Sequence, residues 1–270
     1  MKKCAFLFLV LFFASTSLPA ATSNFSSKSE RTEPVLLAKP SSGLVVGERL
    51  YFEVSWMGAN VGYGEIEVKE KVTVNGREAY HIAAVAKTND FLSKIYPVHD
   101  EAHSWVDAET FYSLKFRKTL SEGRYRADEE TEFDTDRKKG RYLSHKDGTR
   151  KEFEIGGFVH DIVSAFYWFR GQDTPPGSSA RTVVSSEEKD WELEVQALGL
   201  ERKAIRDMGS VGTIRVEPKT RLKGALYNRG RVWVYFTSDS RRVPVWFHFK
   251  TPFGPVNGVL NYRKSSLRSA

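Results

Sequence analysis

From Leu50 onward the chain repeatedly alternates apolar and polar side chains, and a period of two is what a pleated strand with one buried face imposes. Leu50, Phe52, Val54 and Trp56 fall on one face, with Arg49, Tyr51, Glu53 and Ser55 on the other. The pattern returns at Gly64, Ile66 and Val68 against Glu65, Glu67 and Lys69, and runs on to Asn75-Gly76. Asn-Gly between alternating runs signals a type I′ hairpin, because both residues tolerate positive φ. A return strand is expected from Arg77 to Thr88, and further strands over His103–Val106, Tyr112–Leu120, Tyr125–Phe133, Arg141–Ser144 and, after the turn Lys146-Asp147-Gly148, Arg150–Ile155. Such a succession makes an antiparallel meander.

One helix interrupts it. Asp161 can cap free N–H groups, Ile162, Val163, Phe166 and Phe169 recur at helical spacing, and Gly171 suits a C′ position. Pro175-Pro176-Gly177 then marks a loop. Strands resume over Arg181–Val184, Trp191–Ala197, Glu201–Ile205 and Thr213–Val216. The pair Arg231–Thr237 and Val243–Lys250 follows, joined by a turn at Ser238-Asp239-Ser240-Arg241, and a last strand is expected over Val259–Tyr262. Many strands and one short helix predict a mainly β fold: a strongly curved antiparallel sheet or open β-barrel, one domain over residues 46–265.

The N-terminus has a separate logic. Lys2 and Lys3, an apolar run from Ala5 to Ala14 and then Ser17-Leu18-Pro19-Ala20 have the layout of a secretory signal peptide over residues 1–20. The apolar run is too short for the roughly 20 helical residues that span a bilayer. Cys4 precedes it, whereas a lipoprotein cysteine follows it, so the sequence predicts a periplasmic protein without a lipid anchor or a membrane span. Residues 21–45, rich in Ser, Thr, Lys and Glu, read as a flexible leader. Cleavage removes the single cysteine, so the exported chain is expected to fold without disulfides. Loss of Lys2 and Lys3 lowers the net charge from +7 to +5. Bases and acids are interleaved, as in Asp128–Arg141, which argues against a nucleic-acid partner.

Several landmarks together resemble the exported bacterial proteins grouped as domain of unknown function 3108. They are Gly47-Glu48-Arg49-Leu50-Tyr51, Gly62 and Gly64, then Asp161, Ser164-Ala165 and Tyr167-Trp168-Phe169-Arg170, and finally the segment Gly230–Val245. The resemblance runs from Val46 to Tyr262 and implies export and a β-sheet fold, with gross form similar to periplasmic half-barrels that cradle acyl chains. It implies no catalytic residue, because fold alone does not carry function.

The remaining constellations each have a structural alternative. His99, Asp100, Glu101 and His103 form the densest group of candidate metal-ligating or acid-base residues, and His99, Glu101 and His103 share a strand face. Yet residues i and i+4 of a strand lie about 13 Å apart, so a polar strand edge is favoured over a metal site. His160-Asp161 has the orienting half of a catalytic triad, but no G-x-S-x-G elbow is present and capping explains Asp161 better. No catalytic residue, metal ligand or cofactor is assigned. Asp239, Arg241 and Arg242 are either an anion grip or a structural hairpin turn, the turn being favoured. Glu48 and Arg170 suit a buried ion pair whose partners the sequence does not name.

Aromatic residues point toward binding. Trp56, Phe166, Phe169, Trp233, Tyr235 and Trp246 are the candidate ligand-binding side chains. Trp233 and Tyr235 oppose Val232, Val234 and Phe236, and Trp246 opposes Val245, Phe247 and Phe249, so both sheet faces carry apolar surface and both need covering. The leading expectation is a non-enzymatic carrier whose concave sheet holds a hydrophobic or amphipathic small molecule or lipid of the envelope. The alternatives are an envelope assembly factor that docks a protein partner, and an envelope hydrolase using carboxylates such as Glu48 or Asp100.

Overall fold

The computed structural model describes residues 44–223, 225–227 and 231–267. The expected signal peptide (1–20) and all but the end of the expected leader (21–45) lie outside the described residues.

The strands in chain order are β1 (Arg49–Trp56), β2 (Ala59–Val74) and β3 (Arg77–Thr88), then, after the short helix α1 (Asp90–Ser93), β4 (His99–Asp107), β5 (Ser113–Glu122), β6 (Tyr125–Asp134), β7 (Lys139–Ser144) and β8 (Arg150–Glu154). Helix α2 (Ile162–Arg170) separates these from β9 (Ser179–Ser186), β10 (Lys189–Ile205), β11 (Gly209–Leu222), β12 (Ala225–Tyr227), β13 (Arg231–Thr237), β14 (Pro244–Thr251) and β15 (Gly254–Leu260). All pair antiparallel in one sheet of order β8-β7-β6-β5-β4-β3-β2-β1-β15-β14-β13-β11-β10-β9, with β12 beside β11. The meander therefore closes on itself between β1 and β15 and stays open between β8 and β9. The fold is mainly β, as the alternation predicts.

The two open edges are stitched by irregular chain. His160 bridges to Val184 of β9, its N–H donating to Val183 O while its carbonyl accepts from Ser185 N. Gly156 N donates to Asp190 Oδ2 at 2.6 Å, and Lys151 Nζ reaches both carboxylate oxygens of Glu188 at 2.9 and 3.0 Å.

The hairpin at Asn75-Gly76 has φ of 50° and 82°, the two positive values a type I′ turn requires. In one place a bulge makes the pattern misleading. The two strands expected over 191–197 and 201–205 are one strand, β10, whose register shifts between Ala197 and Gly199. The extra residue swaps inward and outward positions at Leu198, and that swap imitates a break. The last strand ends at Leu260 and begins at Gly254, earlier than expected; Pro255 is tolerated near the strand's start. Helix α1 has no counterpart in the sequence reading. It is a single turn capped by Asn89, whose Oδ1 accepts from Leu92 N, and four residues are too few to show a period.

Helix α2 lies against the inner face and divides the core. Asp161 caps it through Val163 N and Ser164 N at 2.7 and 2.9 Å. Gly171 follows with φ of −82°, right-handed, so the expected left-handed C′ residue does not form. Ala165, Trp168 and Phe169 pack into a cluster with Leu50, Phe52, Val216, Val234, Phe236 and Phe247, whereas Val163 and Tyr167 pack with Val68, Ile82, Ala102 and Val106.

Candidate functional site

The alternation fixes what faces inward. Across the ladder from β1 to β5, in-register inward positions include Leu50, Phe52 and Val54, then Gly62, Gly64 and Ile66, then Ala84 and Ala86, then Asp100, Ala102 and Ser104, then Phe116, Lys118 and Leu120. Gly64, Ala84, Ala86 and Ala102 make the middle of this wall shallow. On the far side Val232, Val234, Phe247, Phe249 and Val256 face in. Ile66, Ile162 and Phe166 each touch both halves of the core, and all three remain partly exposed. Solvent therefore reaches the seam where the two clusters meet.

The wall changes character toward β5–β8. Lys118 Nζ lies 2.9 Å from Glu129 Oε2, Lys151 Nζ sits 5.1 Å over the Tyr142 ring, and Lys118, Glu129 and Tyr142 occupy inward register positions. Burial, reinforced by the Glu129 carboxylate, pushes the Tyr142 hydroxyl up to about 12. One side of the interior is thus apolar and the other charged.

Asp100 and Glu122 face in near the same wall, 1% and 6% exposed. Asp100 Oδ1 accepts from Ser121 N at 2.9 Å. Burial first, and the neighbouring Asp100 carboxylate second, raise the Glu122 carboxyl to about 8, and burial likewise raises Asp100. The pair holds a proton at neutral pH because two buried carboxyls side by side resist ionising together. In the sequence Asp100 stands out beside His99, Glu101 and His103 and as a candidate hydrolase carboxylate, whereas Glu122 does not stand out. Their pairing depends on the β4–β5 register, which no local motif announces.

Each sequence candidate has a definite place. Phe166 and Phe169 lie inside, with ring centroids 5.8 and 5.3 Å from Phe236. Trp233, Tyr235 and Trp246 take the opposite face of the sheet by register; Tyr235 is buried with the main core cluster and the two tryptophans are partly buried against it. There Lys203 Nζ sits 4.1 Å over the Tyr235 ring and 5.1 Å over Trp246, Arg231 covers Trp233 at 4.7 Å, and Trp246 Nε1 donates to Asn257 Oδ1. Cations and polar groups supply the second cover that this face needs. Trp56 stands at the rim, its Nε1 donating to Phe253 O at 3.0 Å.

Asp239, Arg241 and Arg242 form the β13–β14 turn. Asp239 accepts from Thr237 Oγ1 at 2.6 Å and from Arg241 Nη2 at 3.0 Å, while Arg242 turns away to Thr174 O at 3.3 Å. The two guanidiniums are engaged separately. Glu48 and Arg170 are each other's partners, a bidentate buried pair at 2.5 and 2.9 Å. His99 contacts Glu101 at 3.1 Å, but His103 turns to His81 of β3 at 3.0 Å. Among the described residues no group of three His, Cys, Asp or Glu side chains is placed to hold a metal.

His160 and Asp161 belong to a buried polar knot. Asp161 Oδ2 accepts from Ser104 Oγ and Ser113 Oγ, both at 2.6 Å, and His160 Nδ1 lies 3.2 Å from Ser164 Oγ. Complete burial lowers His160 to about 3, so its ring is neutral. The arrangement anchors the start of α2.

Among the described residues no helix is long and apolar enough to cross a membrane. No curated protein is significantly similar to the chain. Among solved structures, a β-barrel-like protein of the DUF1849 family from Brucella abortus aligns over 80% of this chain and 96% of its own, with 9% identity and a TM-score of 0.52. A candidate lipoprotein of Parabacteroides distasonis aligns over 83% and 98%, with 8% identity and a TM-score of 0.35. The first score is that of a shared architecture, at an identity that speaks for fold alone. The model of the family described as protein of unknown function (DUF3108) matches residues 51–261, and the chain belongs to that family.

Proposed function

We propose that this is an exported periplasmic carrier that holds an amphipathic molecule of the cell envelope inside its curved sheet. The observation that carries the reading is the seam of the core. Ile66, Ile162 and Phe166 bridge both clusters yet stay partly exposed, above a wall of Gly64, Ala84 and Ala86. An aliphatic tail laid there meets Phe249, Val232 and Val256 on one side, and its polar end meets Lys118, Glu129, Tyr142 and Lys151 on the other. Burying ten methylenes contributes about 8 kcal/mol before ordering costs, enough for useful affinity without chemistry. Export rests on the charged, apolar and small-residue zones of residues 1–20.

Native mass spectrometry of gently purified protein tests this, together with fluorescence of N-phenyl-1-naphthylamine. The expected result is a lipid-sized adduct and saturable probe binding. Ala84→Trp, which fills the shallow wall, should abolish both while the protein stays folded by circular dichroism. Ligand-free protein that binds no probe, or an Ala84→Trp variant that binds as before, overturns the proposal.

A further inference from the structure

The end of the barrel away from α2 carries an unusual collar. Met57, Phe91, Ile95 and Phe253 are 67, 75, 71 and 59% exposed, and Trp56 is 37% exposed beside them. They come from three loops that are bonded into one rim. Trp56 Nε1 donates to Phe253 O and Met57 N to Pro255 O, joining the β1–β2 and β14–β15 turns. Asn89 Nδ2 donates to Asn60 O at 2.8 Å and Asn89 N to Val61 O at 3.0 Å, adding α1. Gly123 N donates to Pro97 O at 2.8 Å, which continues the rim into the β5–β6 turn. On α1, Leu92 packs beneath with Val54, Val61 and Val256, so Phe91 is held outward on the opposite side of the turn, with Ile95 four residues further on.

Exposed cations flank the apolar tips: Lys87, Lys94, Arg124, Arg126 and Lys250, with Asp90 the exposed acid on the same segments. Large apolar tips on hydrogen-bonded turns, ringed by Lys and Arg whose stems can lie along a greasy surface, match a bilayer interface. The positive balance selects its sign, because anionic headgroups attract basic residues close to the surface. A water-exposed patch of this kind on a soluble chain marks an interaction surface.

We infer that this rim docks the protein on an anionic phospholipid surface, with Met57, Phe91, Ile95 and Phe253 entering the headgroup layer. The inference stands independently of the carrier reading, since it uses none of the inward-facing residues.

Sedimentation of the chain lacking residues 1–20 with sucrose-loaded vesicles tests it, using phosphatidylcholine alone and phosphatidylcholine with phosphatidylglycerol. Binding should be at least tenfold stronger to the anionic vesicles and should weaken as salt rises. The combined variant Met57→Ser, Phe91→Ser, Ile95→Ser, Phe253→Ser should lose at least tenfold in partitioning, and Lys87→Gln, Lys94→Gln, Lys250→Gln should remove the preference for anionic lipid. Both variants change only exposed side chains, so unchanged circular dichroism and an unchanged urea midpoint confirm that the fold is intact. Equal sedimentation of wild type and the serine variant, or no binding to anionic vesicles at low salt, overturns the inference. So does analytical ultracentrifugation showing a wild-type dimer that the serine variant converts to monomer, because the rim would then cover a second copy.

Discussion

Replacing Glu122 by glutamine should make the protein more stable at alkaline pH, the reverse of what losing a carboxylate usually does. Glu122 is 6% exposed beside Asp100, and its carboxyl is raised from an ordinary 4.5 to about 8. A folded-state value above the unfolded one means that the folded chain keeps a proton the unfolded chain has released. Stability from this proton is fully present below about pH 4.5 and is lost as pH rises toward 8. Between pH 5 and 7.5 the loss amounts to about 1.4 kcal/mol per pH unit, or about 3 kcal/mol across the span. An amide at this position would carry no charge at any pH and would remove that slope.

The assay is urea unfolding of both proteins at pH 5, 6, 7 and 8. Other groups titrate in the opposite sense: burial lowers His81, His103 and His160, so their neutral folded forms cost stability as pH falls below 6.5. Those contributions are common to both proteins and cancel in the difference. The stability of Glu122→Gln minus that of wild type should therefore climb by roughly 3 kcal/mol from pH 5 to 7.5. A difference that stays flat, or that falls with pH, would show that the two carboxyls do not share a proton in this wall.

Three further perturbations test the framework around α2. Glu48→Ala should cost about 3–5 kcal/mol in chemical denaturation, because it strands a buried Arg170 cation, whereas the double change Glu48→Met, Arg170→Met should recover most of that loss. Asp161→Ala should cost about 3 kcal/mol, combining a lost cap with stranded Ser104 and Ser113 hydroxyls, and the loss should appear in the same melts as a lower midpoint at unchanged m-value. The ring protons of His160 should keep one NMR shift from pH 7.5 to 5, since burial lowers the group to about 3; a midpoint near 6.5 would contradict its burial.

The strands were legible because one face of each is buried, and period two survives even where hydrophobicity does not. β4 shows both sides of this. Its outer positions His99, Glu101, His103 and Trp105 look like the chemistry, while its inner positions Asp100, Ala102, Ser104 and Val106 carry the polar interior. The expected polar edge is not one, because β4 is paired with both β3 and β5 inside the sheet; parity alone leaves Asp100 pointing in. The helix was legible from Asp161 and the spacing of Ile162, Val163, Phe166 and Phe169. The partners were not. Glu48 and Arg170 are 122 residues apart, and Asp100 meets Glu122 only through strand register, so no local window contains either pair. The rings of Trp233, Tyr235 and Trp246 were placed on their own face by alternation. Arg231 covers Trp233 from the same strand, but Lys203 reaches Tyr235 and Trp246 from β10, beyond β11, and so stayed hidden for the same reason.

The two ends of β1 state the architecture most compactly. Its start adjoins the Glu48–Arg170 pair, where Arg170 also reaches Arg241 O, so α2 is tied to the β13–β14 turn by groups that are costly to separate. Its finish is Trp56, in a rim of exposed apolar turns where Val54, Val61, Leu92 and Val256 form a small separate cluster. Cohesion is therefore concentrated at the helix-bearing end and thin at the other. A guest entering between β1 and β15 would break ladder hydrogen bonds, and one entering beside α2 would separate buried charges. The rim asks for neither, because its loops are joined by a few backbone and side-chain bonds. On the carrier reading, exchange through the rim would cost least, and the turns proposed to meet a lipid surface stand at that same end.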